Sequence, residues 1–271
     1  MSLRGRDQEA SLVIKTNITG AGIAPACPPQ MMLAAAADVE WSKNYRARNG
    51  NVPFCYSVTW LAVPAGDGMA MDAARFWYRS AYVQDASQTA SLVASAGEAL
   101  AGLLIHAGLI AGHQLCSDLA VLAAHGGVTS AGITAARAAW RCRRQPVPGG
   151  PRILDTRYDT GHLLTGRSRR LVDVCAELGL EVTQPELRST SMTALHRRWL
   201  LDGDIAAREK ITVLNLRHAL STALVAVRTA GLGHWQPGLN VSRMLANGLD
   251  GTIGWLADPA FTALLGGPGA A

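Results

Sequence analysis

The chain has 271 residues, 49% hydrophobic and 17% charged, and five cysteines without a CxxC pair, which excludes global disorder and CxxC-type zinc or redox sites. Its formal net charge of +5 favours anionic partners such as nucleic acid. The most apolar run, residues 99–112, is shorter than the roughly 20 residues of a membrane span, and charges interrupt the N-terminal segment where a signal peptide would lie, so we expect a cytoplasmic protein without membrane contact.

The first third of the sequence predicts an arm followed by a small set of strands. Glycine and proline breaks within residues 1–30 predict an N-terminal arm. Runs of hydrophobic, aromatic and β-branched residues predict three strands, at residues 31–41, 54–63 and 75–83. Asn49-Gly50, between the first two runs, is a strong hairpin signal. We therefore expect the three strands to form an antiparallel meander.

Helices and strands alternate after this meander. Apolar residues at helical spacing predict helices at residues 87–100, 116–124, 168–178 and 211–229, and shorter apolar runs predict strands at residues 107–112 and 153–158. Ser168 is the expected N-cap of the third helix. The order predicts an α/β domain over residues 31–231, built on a mixed five-stranded sheet flanked by helices. Residues 232–271, interrupted by glycine and proline, are assigned to a C-terminal appendage.

Three acidic residues stand out against this pattern. Asp38 and Glu40 are two residues apart in a predicted strand, so their side chains share one face. Such neighbours repel and are costly to desolvate unless a cation or an arginine neutralises them; the alternative is that they end an exposed strand. Asp118 follows the predicted strand 107–112 at a strand-to-helix junction, where open α/β sheets place their sites. Oxygen ligands of this kind suit Mg²⁺ or Mn²⁺.

The spacing of these acids resembles that of the DEDD superfamily of 3′→5′ exonucleases, which have a ribonuclease-H-like fold. Asp38-Val39-Glu40 matches the DxE motif of the first family strand. The segment from His113 to Asp118 matches the spacing of the HNxxFD motif. Downstream, Leu154-Asp155-Thr156 resembles a DT strand of the family, and residues 168–180 resemble the helix that follows it. The resemblance covers residues 33–228 and implies a ribonuclease-H-like α/β fold.

The third family motif is incomplete in this chain. The family places a His or Tyr base and a fourth metal-binding Asp on its last core helix, where this sequence reads RHALSTA. One register aligns Arg217 with the base and Thr222 with the acid; the other aligns His218 with the base and Ala223 with the acid. Neither register supplies a carboxylate. Asn215, His218 and Thr222 form a polar stripe that the carboxylates would satisfy; the alternative for His218 is a structural hydrogen bond.

The resemblance implies phosphodiester hydrolysis at the 3′ end of single-stranded DNA or RNA, with two Mg²⁺ or Mn²⁺ ions as cofactors. Asp38 would bridge both ions, Glu40 would complete one site, and Asp118 would hold the other ion. His218 would accept the proton of the attacking water. The residues expected to contact substrate are Trp41, Arg79, His113 and Thr222, with a core position as the alternative for Trp41.

Two other functions stay open. One is a catalytically degenerate pseudo-exonuclease that serves as a nucleic-acid or protein interaction module, which the missing fourth acid favours. The other is a divergent metal-dependent enzyme acting on a small nucleotide-like substrate.

Two arginine-rich segments also have two interpretations, as a track for a phosphate backbone or as solvated basic loops. The first contains Arg137, Arg141, Arg143 and Arg144 around Trp140, and the second contains Arg167, Arg169 and Arg170.

Overall fold

The computed structural model describes residues 11–20, 22–42, 50–66, 68–126, 130–145, 148–249 and 251–266. The strands are β1 Val13–Thr16, β2 Met31–Ser42, β3 Val52–Pro64, β4 Met69–Ala70, β5 Phe76–Tyr82, β6 Ala107–Gly112, β7 Arg152–Asp155, β8 Leu180–Glu181, β9 Gly233–His234 and β10 Leu239–Asn240. The α-helices are α1 Thr89–His106, α2 Leu115–His125, α3 Ala131–Arg141, α4 Leu171–Glu177, α5 Met192–Asp202, α6 Ile205–Thr229, α7 Val241–Leu249 and α8 Pro259–Thr262.

A six-stranded mixed sheet in the order β1-β5-β3-β2-β6-β7 organises the described residues. β2 and β3 form a long antiparallel hairpin, and β3 pairs antiparallel with β5. β2 pairs in parallel with β6, and β6 pairs in parallel with β7. The predicted meander and the α/β class are confirmed, and the strand order is consistent with the ribonuclease-H-like class. Asn49 of the hairpin signal lies outside the described residues.

The sheet has six strands rather than the predicted five, because β1 adds to its edge from within the segment assigned to the arm. Val13 lies opposite Tyr82 in an antiparallel ladder. Asn17 secures the end of this strand, since its side chain accepts a hydrogen bond from the backbone N–H of Tyr78 at 2.8 Å and donates one to the carbonyl of Phe76 at 3.1 Å. A four-residue edge strand with alternating exposure carries too short a hydrophobic pattern to be predicted.

Several boundaries also differ from the prediction. β7 ends at Asp155, whose side chain accepts a hydrogen bond from the backbone N–H of Arg157 and turns the chain there. α6 begins six residues before the predicted position 211, because Asp204 caps it by accepting from the backbone N–H of Ala207. The predicted N-cap Ser168 is wrong: α4 begins at Leu171, and the Ser168 hydroxyl bonds to Asp173 instead.

Helices cover both faces of the sheet, each over its own hydrophobic core. α1, α2 and α3 pack on one face, over a core that contains Val39, Tyr56 and Trp60. α4, α6 and α7 pack on the other face, over a core that contains Ala34 and Ala36 of β2. The predicted appendage contributes to this second core. Its buried side chains there include Trp235, Trp255 and Phe261.

Residues 86–106, which include α1, are long and apolar enough to cross a membrane by length and composition. Core helices of folded domains pass the same test, and Leu92, Val93 and Leu103 of this helix are buried in the core beneath it. The cytoplasmic location expected from the sequence stays a prediction.

Candidate functional site

The two carboxylates of β2 lie beneath α6. Asp38 and Glu40 are two and four residues beyond Ala36 on the strand, and alternation along the strand turns both side chains to the α6 face. The ladder with β3 shifts register after Glu40, at a β-bulge. The side chains are 13% and 11% exposed, respectively. The predicted shared face is therefore confirmed, and it faces a helix rather than open solvent.

α6 brings two polar side chains onto these carboxylates. His218 Nδ1 lies 3.2 Å from Glu40 Oε1 and 3.6 Å from Asp38 Oδ2. Asn215 Nδ2 donates a hydrogen bond to Asp38 Oδ2 at 2.6 Å, while its Oδ1 accepts from the Cys55 thiol at 3.7 Å. Asp38, Glu40 and His218 each offer one ligand atom, and these three atoms lie within 4.8 Å of one another. The polar stripe of α6 thus meets the carboxylates through its first two members.

A loop residue completes the environment of His218. The side-chain amide of Gln184 lies 2.7 Å from His218 Nε2, so both imidazole nitrogens have a polar neighbour, and a protonated Nε2 donates to the oxygen of this amide. Gln184 immediately precedes the short 3₁₀-helix Pro185–Leu187. Nothing in the sequence indicates this contact, because it joins residues 34 positions apart through a loop of irregular conformation.

The close approach of two acids and a histidine shifts the proton affinities of Glu40 and His218. Burial opposes a charged imidazole, but hydrogen bonds and charges from Asp38 and Glu40 outweigh it and raise the pKa of His218 to about 10. Burial raises the pKa of Glu40 to about 7; the hydrogen bond to His218 opposes this shift, and the charge of Asp38 adds to it. At neutral pH His218 is therefore protonated. Its positive charge neutralises the carboxylates that a bound metal cation would otherwise neutralise.

Asp118 lies in the first turn of α2 and is 4% exposed. Burial raises its pKa, and the charges of Asp38, Glu40 and Asp155 raise it further. Its Oδ2 has no hydrogen-bond partner among the described residues. A buried carboxylate oxygen without a partner is costly. The ligand atoms that converge within 4.8 Å belong to Asp38, Glu40 and His218, so these three residues fit a metal site, and the Asp118 carboxylate would add to its negative charge.

His113 follows β6 and lies beside this group. Its Nδ1 is 3.0 Å from Thr156 Oγ1. Burial lowers the pKa of His113 to about 4, the charge of Asp38 opposes this shift, and the charges of Arg157 and His218 add to it. His113 is therefore neutral at physiological pH, and its expected contact with substrate stays a prediction.

The segment after His113 is held by Asp155. Gln114 adopts a left-handed conformation with φ of 64°, which is uncommon for a residue other than glycine. Asp155 accepts hydrogen bonds from the backbone N–H groups of Gln114 and Leu115, at 2.9 and 3.0 Å, and thereby fixes the start of α2 and the position of Asp118. Asp155, which the resemblance assigns to a DT strand, therefore has a structural role: it caps the start of α2.

The other predicted substrate contacts do not meet the carboxylates. Arg79 lies on the opposite face of the sheet, where its Nε donates to the Tyr56 hydroxyl at 3.3 Å. Thr222 has no exposed surface, so the prediction that it contacts substrate is wrong. Trp41, beyond the bulge, packs partly buried against the core beneath α1, in agreement with the alternative interpretation.

The structure also shows which of the two candidates on α6 meets the carboxylates. Arg217 is fully buried and forms a bidentate ion pair with Glu186, with N–O distances of 2.7 and 2.8 Å. His218, and not Arg217, lies against Asp38 and Glu40. Ala223, the residue aligned with the fourth acid in the register of His218, is buried in the core.

Comparison with protein-family models, with curated proteins and with solved structures finds no match for this chain.

Proposed function

We propose that this protein is a divalent-metal-dependent 3′→5′ exonuclease-like hydrolase that acts on the ends of single-stranded DNA or RNA. The observation that carries the proposal is the convergence of Asp38, Glu40 and His218, whose ligand atoms lie within 4.8 Å of one another, beside the unpartnered buried carboxylate of Asp118. A site of this composition suits Mg²⁺ or Mn²⁺.

Each residue has a distinct task in this proposal. Asp38 would contact both ions, together with Glu40 and His218, whose ligand atoms converge with its own, and Asp118, whose charge acts on the same group. Bound cations supply an activated water and stabilise the leaving oxygen. His218, relieved of its proton when the carboxylates take up cations, would offer Nδ1 either to the proton of the attacking water or to a Mn²⁺ ion, but not to both at once. Asn215 holds Asp38 by its 2.6 Å hydrogen bond.

The charge of the site determines which metal it favours. The segment of α6 from residue 211 onward contains no carboxylate, so the site has three acids where the resembled family has four. Fewer charges weaken the binding of one ion. Mg²⁺ requires nearly octahedral oxygen ligands and sheds water reluctantly. Mn²⁺ also accepts an imidazole nitrogen such as that of His218, so we expect weak activity that is higher with Mn²⁺ than with Mg²⁺.

A specific observation favours a second candidate, a catalytically degenerate module that binds nucleic acid or protein. Asn215 bonds to Asp38, and Gln184 bonds to His218, so neutral side chains already satisfy part of the cluster without a cation. Such a network stabilises the fold whether or not the protein cleaves nucleic acid. A divergent enzyme on a small nucleotide-like substrate is the third possibility.

Incubation with 5′-labelled single-stranded DNA and RNA, in Mn²⁺ or Mg²⁺, tests these functions. A descending ladder of labelled products supports the exonuclease. Asp38→Ala should abolish the ladder and the stabilisation by Mn²⁺, which amounts to about 2.7 kcal/mol at a concentration 100-fold above Kd. Asp72→Ala, at an exposed position of the chain, is the matched control and should retain both. Binding without cleavage supports the interaction module, and full activity of Asp38→Ala contradicts the metal site.

A further inference from the structure

A basic segment adjoins the carboxylates at the same edge of the sheet. β2, β6 and β7 run parallel, so their carboxyl ends meet there. His113 and Thr156 follow the last paired residues of β6 and β7 at this edge, and His113 Nδ1 lies 3.0 Å from Thr156 Oγ1. Arg157 is the next residue after Thr156. The chain then continues through a basic loop, residues 165–170, to α4.

Two arginines of this edge are held by backbone oxygens. Arg157 Nη1 donates to the carbonyl of Arg169 at 3.4 Å. Arg169 Nη1 donates to the carbonyls of Gly166 and Ser168 at 2.6 and 3.1 Å. Within the described part of the chain, neither forms an ion pair at 4.0 Å or less. Backbone oxygens thus position both guanidinium groups. The charge of Arg169 also acts on Glu177, whose pKa it helps to lower after the larger effect of hydrogen bonds, whereas Arg157 has no such acidic partner among the described residues.

The acidic residue next to this loop, Glu177, is hydrogen-bonded to the loop itself. Glu177 accepts hydrogen bonds from the backbone N–H of Gly166, at 2.8 Å, and from the Thr165 hydroxyl, at 2.9 Å. It orders the loop through these bonds. The field of Arg157 reaches the candidate site, since it helps to lower the pKa of His113 after the larger effect of burial.

In the other arginine-rich segment, the charge of Arg143 already has a partner. Arg143 forms an ion pair with Asp159 at 3.1 Å, and its guanidinium lies 4.3 Å from the ring centroid of Trp140. The Trp140 indole N–H donates to Asp155 at 3.2 Å. These side chains secure α3 to the end of β7, and their partners are internal to the fold.

Building on the proposed function, we infer that Arg157 and Arg169 bind the phosphodiester adjacent to the scissile one, which selects a polynucleotide strand over a single nucleotide ester. The acidic cluster repels a polyanion, and the metal ions offset this repulsion only at the bond they contact. The next phosphate along the strand needs its own positive partner. Guanidinium groups suit it, because their planar donors match phosphate oxygens.

Salt-dependent binding tests the inference. The probe is a 5′-fluorescein-labelled octathymidylate, followed by fluorescence anisotropy with Ca²⁺ in place of Mn²⁺. Arg157→Gln and Arg169→Gln should each weaken binding about tenfold, and should each lower the slope of log affinity against log salt by about 0.7, the value for one phosphate contact on a single strand. Arg157→Lys keeps the charge and should keep the slope. Arg243→Gln is the control, since Arg243 on α7 is exposed and likewise donates to a carbonyl, that of Leu265.

An unchanged slope in a folded Arg157→Gln variant overturns the inference, as does an equal loss in Arg243→Gln. Hydrolysis of a 4-nitrophenyl ester of thymidine 5′-phosphate by the wild-type protein with Mn²⁺ separates the two proposals. A wild-type protein that hydrolyses this ester but does not bind the octamer contradicts the inference and leaves the proposed hydrolase standing. A protein that shows the slope changes but cleaves neither probe supports the phosphate contacts and contradicts the hydrolase.

Discussion

At the scale of single residues, the proton held by His218 is the feature with the clearest consequence. The pKa of His218 is raised from 6.5 to about 10, and that of Glu40 from 4.5 to about 7. Both groups bind protons more tightly in the folded chain than in the unfolded chain. Their stabilising contributions are therefore complete below pH 6.5 and pH 4.5, respectively, and are lost as the pH rises through about 10 and about 7.

Metal affinity should follow the opposite trend. A divalent cation that binds Asp38 and Glu40 must displace the proton on His218 and the proton that Glu40 takes up. We expect the affinity for Mn²⁺ to rise from pH 6 to pH 9, with proton release on binding, as measured by titration calorimetry in two buffers of different ionisation enthalpy. His218→Gln should release fewer protons. An affinity that is constant over this range would contradict the shared site.

The amide of Asn215 occupies the position where a fourth carboxylate would face Asp38. Asn215→Asp should lower the melting temperature in EDTA, because two carboxylates would then meet where a 2.6 Å hydrogen bond now forms. With metal, the same change should strengthen Mg²⁺ binding about tenfold, or about 1.4 kcal/mol. Thermal unfolding across a Mg²⁺ titration measures both effects. Asn247→Asp, at an exposed position on α7, is the control, and equal behaviour of the two variants would refute this role.

At the scale of elements, one buried ion pair ties α6 to the C-terminal segment. Glu186 binds Arg217 through both oxygens and also accepts a hydrogen bond from the Trp255 indole at 3.1 Å. Both charged side chains are fully buried. The pair fixes the rotation of α6, and this rotation turns the neighbouring His218 toward the carboxylates.

Breaking this pair should be costly, since it leaves a buried guanidinium without its counter-charge. We expect Glu186→Gln to reduce the free energy of unfolding by about 3–5 kcal/mol in urea titrations. Asp173→Asn removes an exposed pair with Arg170, whose N–O distance is 3.9 Å, and should cost at most about 1 kcal/mol. Similar losses of unfolding free energy in the two variants would show that the buried pair stabilises the fold no more than the exposed pair does.

The elements that the sequence predicts are those with long hydrophobic patterns. β2, β3, β5 and β6 have such patterns, whereas the edge strand β1 and the arginine-containing helix α3 do not. Asp38, Glu40 and Asp118 could be predicted because their spacing relative to strands is local. The contact of Gln184 and the pair of Arg217 could not, because each depends on a loop more than thirty positions away.

Thr222 shows where a periodic pattern misleads. The stripe from Asn215 to Thr222 covers about 10 Å of helix axis, whereas Asp38 and Glu40 are separated by about 7 Å along β2. The stripe therefore extends beyond the carboxylates, and its last member lies in the core near Leu220 and Ala223. A shared helix face does not ensure a shared site.

At the scale of the whole molecule, the segment assigned to a C-terminal appendage contributes large side chains to the core. Phe261 is fully buried, and Phe261→Ala should cost about 3–5 kcal/mol of unfolding free energy, as in any domain core. Thr262→Ala, at an exposed neighbouring position, should change it by no more than about 0.5 kcal/mol. Urea unfolding followed by tryptophan fluorescence measures both. A negligible effect of Phe261→Ala would support an independent appendage.

The hydrogen bond from Lys15 Nζ to the carbonyl of Thr252 joins residues 237 positions apart, at 3.0 Å. Ribosomes add about 5–20 residues per second, so roughly 10–50 s separate the synthesis of these two partners. During that interval the nascent chain displays the apolar face of β2 that α6 later covers. Translation therefore leaves a long period in which this half-built core is exposed, and slowing the ribosome before α6 emerges should increase aggregation of the newly made protein.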